Sequence, residues 1–224
     1  MTHLHIPDGI LPLRIWLPGL ALALLVLVVS AWLTHRETRP KLAFQSSIGA
    51  LMLAAMAIEL PLGPLEYHLS LLGPVGVLLG PAAAFQVVFV VSAMLALVGH
   101  GGLTVVGWNA LVLGAGAGIA RPIARALSAR FDPAVSMAAA TACAQALSGA
   151  LWVAVMLGGL RLVSRGRWLH DTGTPVLAAL AAPLWAAGIV IETLVALGLG
   201  RFLQRVRPDL LPGRAPLPGK DLAR

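Results

Sequence analysis

The chain has 224 residues, 58% of them hydrophobic and 11% charged, with a mean hydropathy of +0.89, and this excludes a water-soluble globular domain. The net charge of +7 does not by itself point to a polyanion, because in a bilayer protein Lys and Arg are first of all topology signals. The lipid bilayer is the expected surrounding and nucleic acid is a poor candidate partner. The single cysteine, Cys143, lies in an apolar run and leaves no disulfide framework, thiolate cluster or redox pair.

The first residues, Met1 to Leu13, carry two His, Asp8 and two prolines, without the basic start and apolar core of a cleavable signal peptide. Pro7-Asp8-Gly9 predicts a turn that folds this segment back toward the helices. A membrane-spanning helix needs about 20 apolar residues, and the continuous runs predict helices, not barrel strands, at 15–33, 42–60, 103–120, 133–158 and 175–199. Residues 69–98 form one long uncharged stretch. As a single helix of about 30 residues it would be ~45 Å long, more than a bilayer core holds, and Gly80-Pro81 is a natural break. Two short helices fit better, which makes seven in all. Residues from Arg205 onward are rich in Arg, Pro and Gly and read as a flexible tail.

Charge tests the seven-helix reading. With the N-terminus outside and the C-terminus cytoplasmic, the inner face receives Arg36, Arg39, Lys41, Arg121, Arg125, Arg130 and the six basic residues from Arg201 to Arg224. Only Arg14, Arg161, Arg165 and Arg167 then lie outside. Six helices divide the same residues less unevenly. The expected fold is therefore an all-α, multi-pass bundle in the cell inner (plasma) membrane, with a short or broken helix pair around Gly80-Pro81. Residues 1–204 form one transmembrane domain and 205–224 a cytoplasmic tail. No Gly-rich phosphate loop is present, so any ATP would be used by another chain.

In the seven-helix arrangement the first residues, the 65–70 turn and the 99–102 turn share the outer face. Four of the six histidines, His3, His5, His68 and His100, meet there. Neutral imidazole suits zinc, copper, nickel and cobalt, whereas hard cations take oxygen. A terminal amine, backbone amides and imidazole in one short segment can also form planar nitrogen chelate rings, which suit Ni(II) or Cu(II). Each imidazole alone is better explained as an interfacial polar group or one bonded to a turn, and it is the four on one face that weigh against this. Glu59 and Glu192 are carboxylates within apolar runs, the second expected near the inner end of the last helix and paired with Arg201 or a partner subunit. Gly101-Gly102 and Gly114, Gly116 and Gly118 read as sites of close helix approach.

His5-Ile6-Pro7-Asp8-Gly9-Ile10-Leu11-Pro12 resembles the N-terminal signature of the CbiM/NikM family, the substrate-capture components of cobalt/nickel energy-coupling-factor transporters. The stretch from His68 to Leu79-Gly80-Pro81, and His100-Gly101-Gly102-Leu103-Thr104 followed by Gly107 and Asn109, are similar to two further family blocks in the same order. Beyond Asn109 the likeness rests on Ile191-Glu192-Thr193. The resemblance implies capture of Ni²⁺ or Co²⁺ at the outer face by an N-terminal segment, residues 1–12, and a loop His, with no resident cofactor and the metal as transported substrate. It implies His5 and His68 as ligands. His3 is a further candidate, because Met1-Thr2-His3-Leu4 precedes the position where family members carry their amino group. His100 and Asn109 would orient the ligands from behind. A transmembrane coupling subunit and ATP-binding subunits are the implied partners, and no covalent reaction is catalysed. Alternatives are an intramembrane metal-dependent hydrolase, which would want a His-Glu-x-x-His-like pair that is absent, and a capture subunit for a small organic vitamin, for which aromatics at 5% are sparse.

Overall fold

The computed structural model describes residues 6, 8–62, 65–164 and 173–213. Among these residues are seven α-helices, α1 (Leu13–Thr34), α2 (Arg39–Ala57), α3 (Leu72–Leu79), α4 (Pro81–Leu97), α5 (Val106–Leu127), α6 (Pro133–Ser164) and α7 (Gly173–Val206). Between α2 and α3 stands a small antiparallel hairpin, β1 (Glu59–Leu62) with β2 (Leu65–His68). Among the described residues four helices are long and apolar enough to cross a membrane, and α2 and α4 are shorter apolar helices. On α1, Leu25, Val28 and Trp32 are 59–69% exposed, an outer face that only hydrocarbon can solvate well.

The expected break is present. Gly80 closes α3 at φ +80°, a backbone angle that glycine adopts readily, and Pro81 opens α4 where its missing N–H has no partner to lose. With eight residues, α3 is about 12 Å long and cannot span a bilayer alone. It starts inside the bundle, with Leu72 beside Gly116 of α5, about 15 Å along that helix. Residues 69–71, outside helix and ladder, carry the chain from His68 to this start. Leu71, at φ +52°, is the positive-φ non-glycine among the described residues and makes the corner.

Other boundaries differ from the sequence reading. The second helix stops at Ala57, and residues expected to complete it enter the hairpin. The fifth begins at Val106, because Leu103 and Thr104 belong to a turn held by another segment, and it continues to Leu127. The last helix passes Arg205 and ends at Val206. The chain then turns through Pro208–Leu210 and buries Leu211 beside Leu203, so the bundle extends beyond the expected start of the tail. Residues 214–224 lie outside the described residues.

Small residues set the close packing of α3 and α5. Gly76 faces the Ala117 carbonyl so closely that a Cβ would overlap it, and Gly116 faces Ser148 and the Ala144 carbonyl in the same way. Gly118, the third of the glycine series, has only Pro81 at 4.0 Å. Gly76→Ala is therefore expected to destabilise the protein by about 1–3 kcal/mol through overpacking, whereas Gly118→Ala should be neutral or gain up to ~1 kcal/mol in helix propensity. Thermal unfolding of the two variants in one detergent checks the contrast.

Candidate metal centre

His68 and His100 meet at one end of the bundle, their ring centroids 5.4 Å apart and their planes nearly perpendicular. The chain between them thus enters the bundle and returns, as seven passes require and six do not. His68 ends β2, with Glu59 directly across the ladder. Its Nδ1 lies 2.6 Å from the Met56 carbonyl, in the last turn of α2, where carbonyls lack helical partners. A carbonyl can only accept, so Nδ1 carries the proton. In the neutral ring the lone pair is then on Nε2, the nitrogen a metal would need.

His100 sits in the turn after α4, between Gly99 at φ +88° and Gly101 at φ +104°, and its backbone N–H bonds the Leu95 carbonyl at 2.8 Å. This glycine-rich turn closes the helix and delivers Gly102 to the N-terminal segment. A Cβ on Gly102 would stand 2.6 Å from the Asp8 backbone nitrogen. The close approach expected at Gly101-Gly102 is thus to the N-terminal strand of chain, not to another helix.

Ile6 is fully buried and is held through its backbone. Its N–H donates to Asn109 Oδ1 at 2.7 Å, and its carbonyl accepts from Asn109 Nδ2 at 3.1 Å and from the Gly102 N–H at 3.1 Å. Asn109, 2% exposed, thereby treats the Ile6 peptide as a neighbouring strand would. Beneath it, Ile6, Leu11 and Val105 form a buried cluster flanked by Trp16, Trp108 and Trp152. Asp8 completes the attachment. Its carboxylate accepts from the N–H groups of Leu103 and Thr104, each at 2.9 Å, and from the Thr104 hydroxyl at 2.5 Å. The Thr104 hydroxyl, ahead of the two amides, holds the Asp8 carboxyl below the usual carboxylate range against a smaller opposing effect of burial.

His3 and His5 lie outside the described residues, as does Pro7. Among the described residues no three of His, Cys, Asp and Glu gather around one point. Of the residues singled out in the sequence, the fold brings together His68, His100 and, behind the neighbouring segment, Asn109. Glu192 is placed differently from expectation. It is 1% exposed, well inside α7, and accepts hydrogen bonds from the backbone of Ser70 and Leu71 instead of pairing with Arg201. Ser70 and Gln145, which share this contact region, carried no sequence signal beyond being polar in apolar runs. Met52 and Met56 are core residues and Met94 is 49% exposed.

These features define a polytopic helical membrane protein whose histidine-bearing end receives its own N-terminal segment. The sequence profile of the family described as cobalt uptake substrate-specific transmembrane region (CbiM) matches residues 5–210, and the chain belongs to that family. Two solved structures share the fold. A transition metal transporter is 19% identical with a TM-score of 0.74, over 90% of this chain and 93% of that one. A truncated transition metal transporter is 18% identical with a TM-score of 0.75, over 90% and 99%. No curated protein sequence matches. The protein is a membrane component of cobalt-type metal uptake.

Asn109→Ala removes both side-chain bonds to a buried peptide and is expected to cost about 1–3 kcal/mol of segment docking; faster proteolysis ahead of Leu13 and faster exchange of the Ile6 amide would report it. For Asp8 the folded carboxyl is depressed, so its contribution is full above the unfolded value near pH 4 and is lost as pH falls through the folded value. Docking of the segment, followed by the same amide, should weaken as pH drops below about 4 in wild type, and this step should vanish in Asp8→Asn.

Proposed function

We propose that the chain is the substrate-capture component of an energy-coupling-factor transporter, binding Ni²⁺ or Co²⁺ at the outer face through His5 and His68, with His3 as a further ligand. The observation that carries this reading is the grip of Asn109 on the Ile6 peptide, at the same end as His68 and His100. His5 is bonded to Ile6, so the grip favours its arrival at that end. The lone pair on His68 Nε2 supplies one imidazole donor, while His5, backbone amides and the terminal amine offer the nitrogen set of a planar site. His100 and Asn109 act behind these ligands, His100 packing edge-on against His68 and Asn109 fixing the segment.

The charge distribution supports an orientation. Arg36, Arg39, Lys41, Arg121, Arg125, Arg130, Arg201, Arg205 and Arg207 belong to the helix ends and turns opposite His68. The excess of basic residues favours that end, together with the tail, as the cytoplasmic one and the histidine end as the outer one. The sequence contains no Gly-rich phosphate loop, and the reading therefore includes a transmembrane coupling subunit and ATP-binding subunits that drive release inward. Residues 1–12 serve as the metal-binding segment of a single transmembrane domain.

Mass spectrometry of the mature N-terminus, combined with bound Ni²⁺ and Co²⁺ in wild type, His5→Ala and His68→Ala, tests the assignment. Wild type should hold one ion per chain, and each variant should lose most of it. Full metal content in both variants would contradict the site.

A further inference from the structure

We infer that Glu192 is a positioning residue for the metal site, fixing His68 by clamping the backbone corner at which the chain turns from β2 into α3. The inference rests on the reading of His68 as a ligand and deepens it. Glu192 is 1% exposed within an apolar bundle, where a carboxylate is tolerated only with donors aimed at it. Two consecutive backbone N–H groups are among its donors. Glu192 Oε1 accepts from Ser70, and Oε2 accepts from Leu71 at 3.2 Å.

These N–H groups lie at the start of α3, which a helix leaves without partners and which favours negative charge. The clamp continues sideways. Gln145 donates to the Ser70 hydroxyl at 2.6 Å, and that hydroxyl accepts the Leu72 N–H at 3.2 Å. Glu192 of α7 thus accepts two successive amides of the corner, and the Ser70 hydroxyl, held by Gln145 of α6, accepts the third. Leu71 there holds φ +52°, an angle that a leucine keeps only when its surroundings impose it.

The corner begins two residues after His68. Between them the chain has no helix or ladder to hold it, since β2 ends at His68 and α3 begins at Leu72. His68 is fixed from above by the Met56 carbonyl and from below by the corner. Releasing the lower hold lets the His68 backbone drift, and a metal site loses affinity when a ligand is no longer pre-positioned.

The test is a double-mutant cycle on Ni²⁺ affinity, measured by titration of the full chain in detergent for wild type, Glu192→Gln, His68→Ala and the double variant. Glutamine keeps one acceptor and presents an amide donor to the other N–H, which it cannot bond. Glu192→Gln is expected to bind Ni²⁺ about tenfold more weakly, equivalent to ~1.4 kcal/mol, while retaining wild-type circular dichroism. The double variant should be no weaker than His68→Ala alone, because a positioning residue has nothing left to position. Independent losses that multiply in the double variant, or an unchanged affinity in folded Glu192→Gln, would overturn the inference and leave the metal site standing. Absence of both Ni²⁺ and Co²⁺ binding in wild type, or full affinity in His68→Ala, would remove the proposed function and the inference with it. Should Glu192→Gln not fold, amide exchange at Ser70 and Leu71 in wild type decides: slowing on Ni²⁺ addition supports the link, and no change refutes it.

Discussion

The two-way bond between Asn109 and the Ile6 peptide is the constraint on which the functional end depends. An N-terminal segment ahead of the first helix has no ladder or helical partner, and entropy favours its release. One buried amide side chain supplies both a donor and an acceptor to that segment at the mouth of the bundle. Burial of Ile6 beside Val105 and Leu11 adds apolar area that a solvated tail could not gain. In the proposed site, loss of this grip would leave His68 without the donors that precede Ile6.

The same physical economy recurs along the chain. Away from water every backbone N–H needs a partner, and the irregular stretches around the site are each served by one side chain. Asn109 serves Ile6, Asp8 serves Leu103 and Thr104, and Glu192 serves Ser70 and Leu71. Each of these bonds joins segments far apart in sequence. Together they turn three non-helical pieces into parts of one rigid end. Glycine has the complementary task. Gly102 admits the N-terminal segment, and Gly76 and Gly116 let the half-helix α3 lie deep between α5 and α6.

Much of the fold was legible because the bilayer imposes strong rules. The long apolar runs, the Gly80-Pro81 break and the distribution of Arg and Lys together give seven helices, and the meeting of His68 with His100 follows from that count. The hairpin was not read, although Pro61 and Pro64 stand just where the apolar run would have continued as helix. Periodicity cannot separate a short extended piece from a helix end when all residues are apolar. Asn109 could be noticed as part of a motif, but its partner was invisible, since Ile6 is 103 residues away and takes part only through its backbone. Glu192 was misplaced for the same reason. A carboxylate in a helix suggests a cationic partner, and the sequence contains no sign of two amides at the start of a buried half-helix 121 residues earlier.

The central claim is that the N-terminal segment and His68 share one ion. X-ray absorption at the nickel edge of the Ni²⁺-loaded protein in detergent measures this most directly. A shell of nitrogen and oxygen donors with outer scattering from imidazole, reduced by one ring in His68→Ala, is the predicted result. A spectrum without imidazole scattering, or one unchanged in His68→Ala, would contradict the shared site.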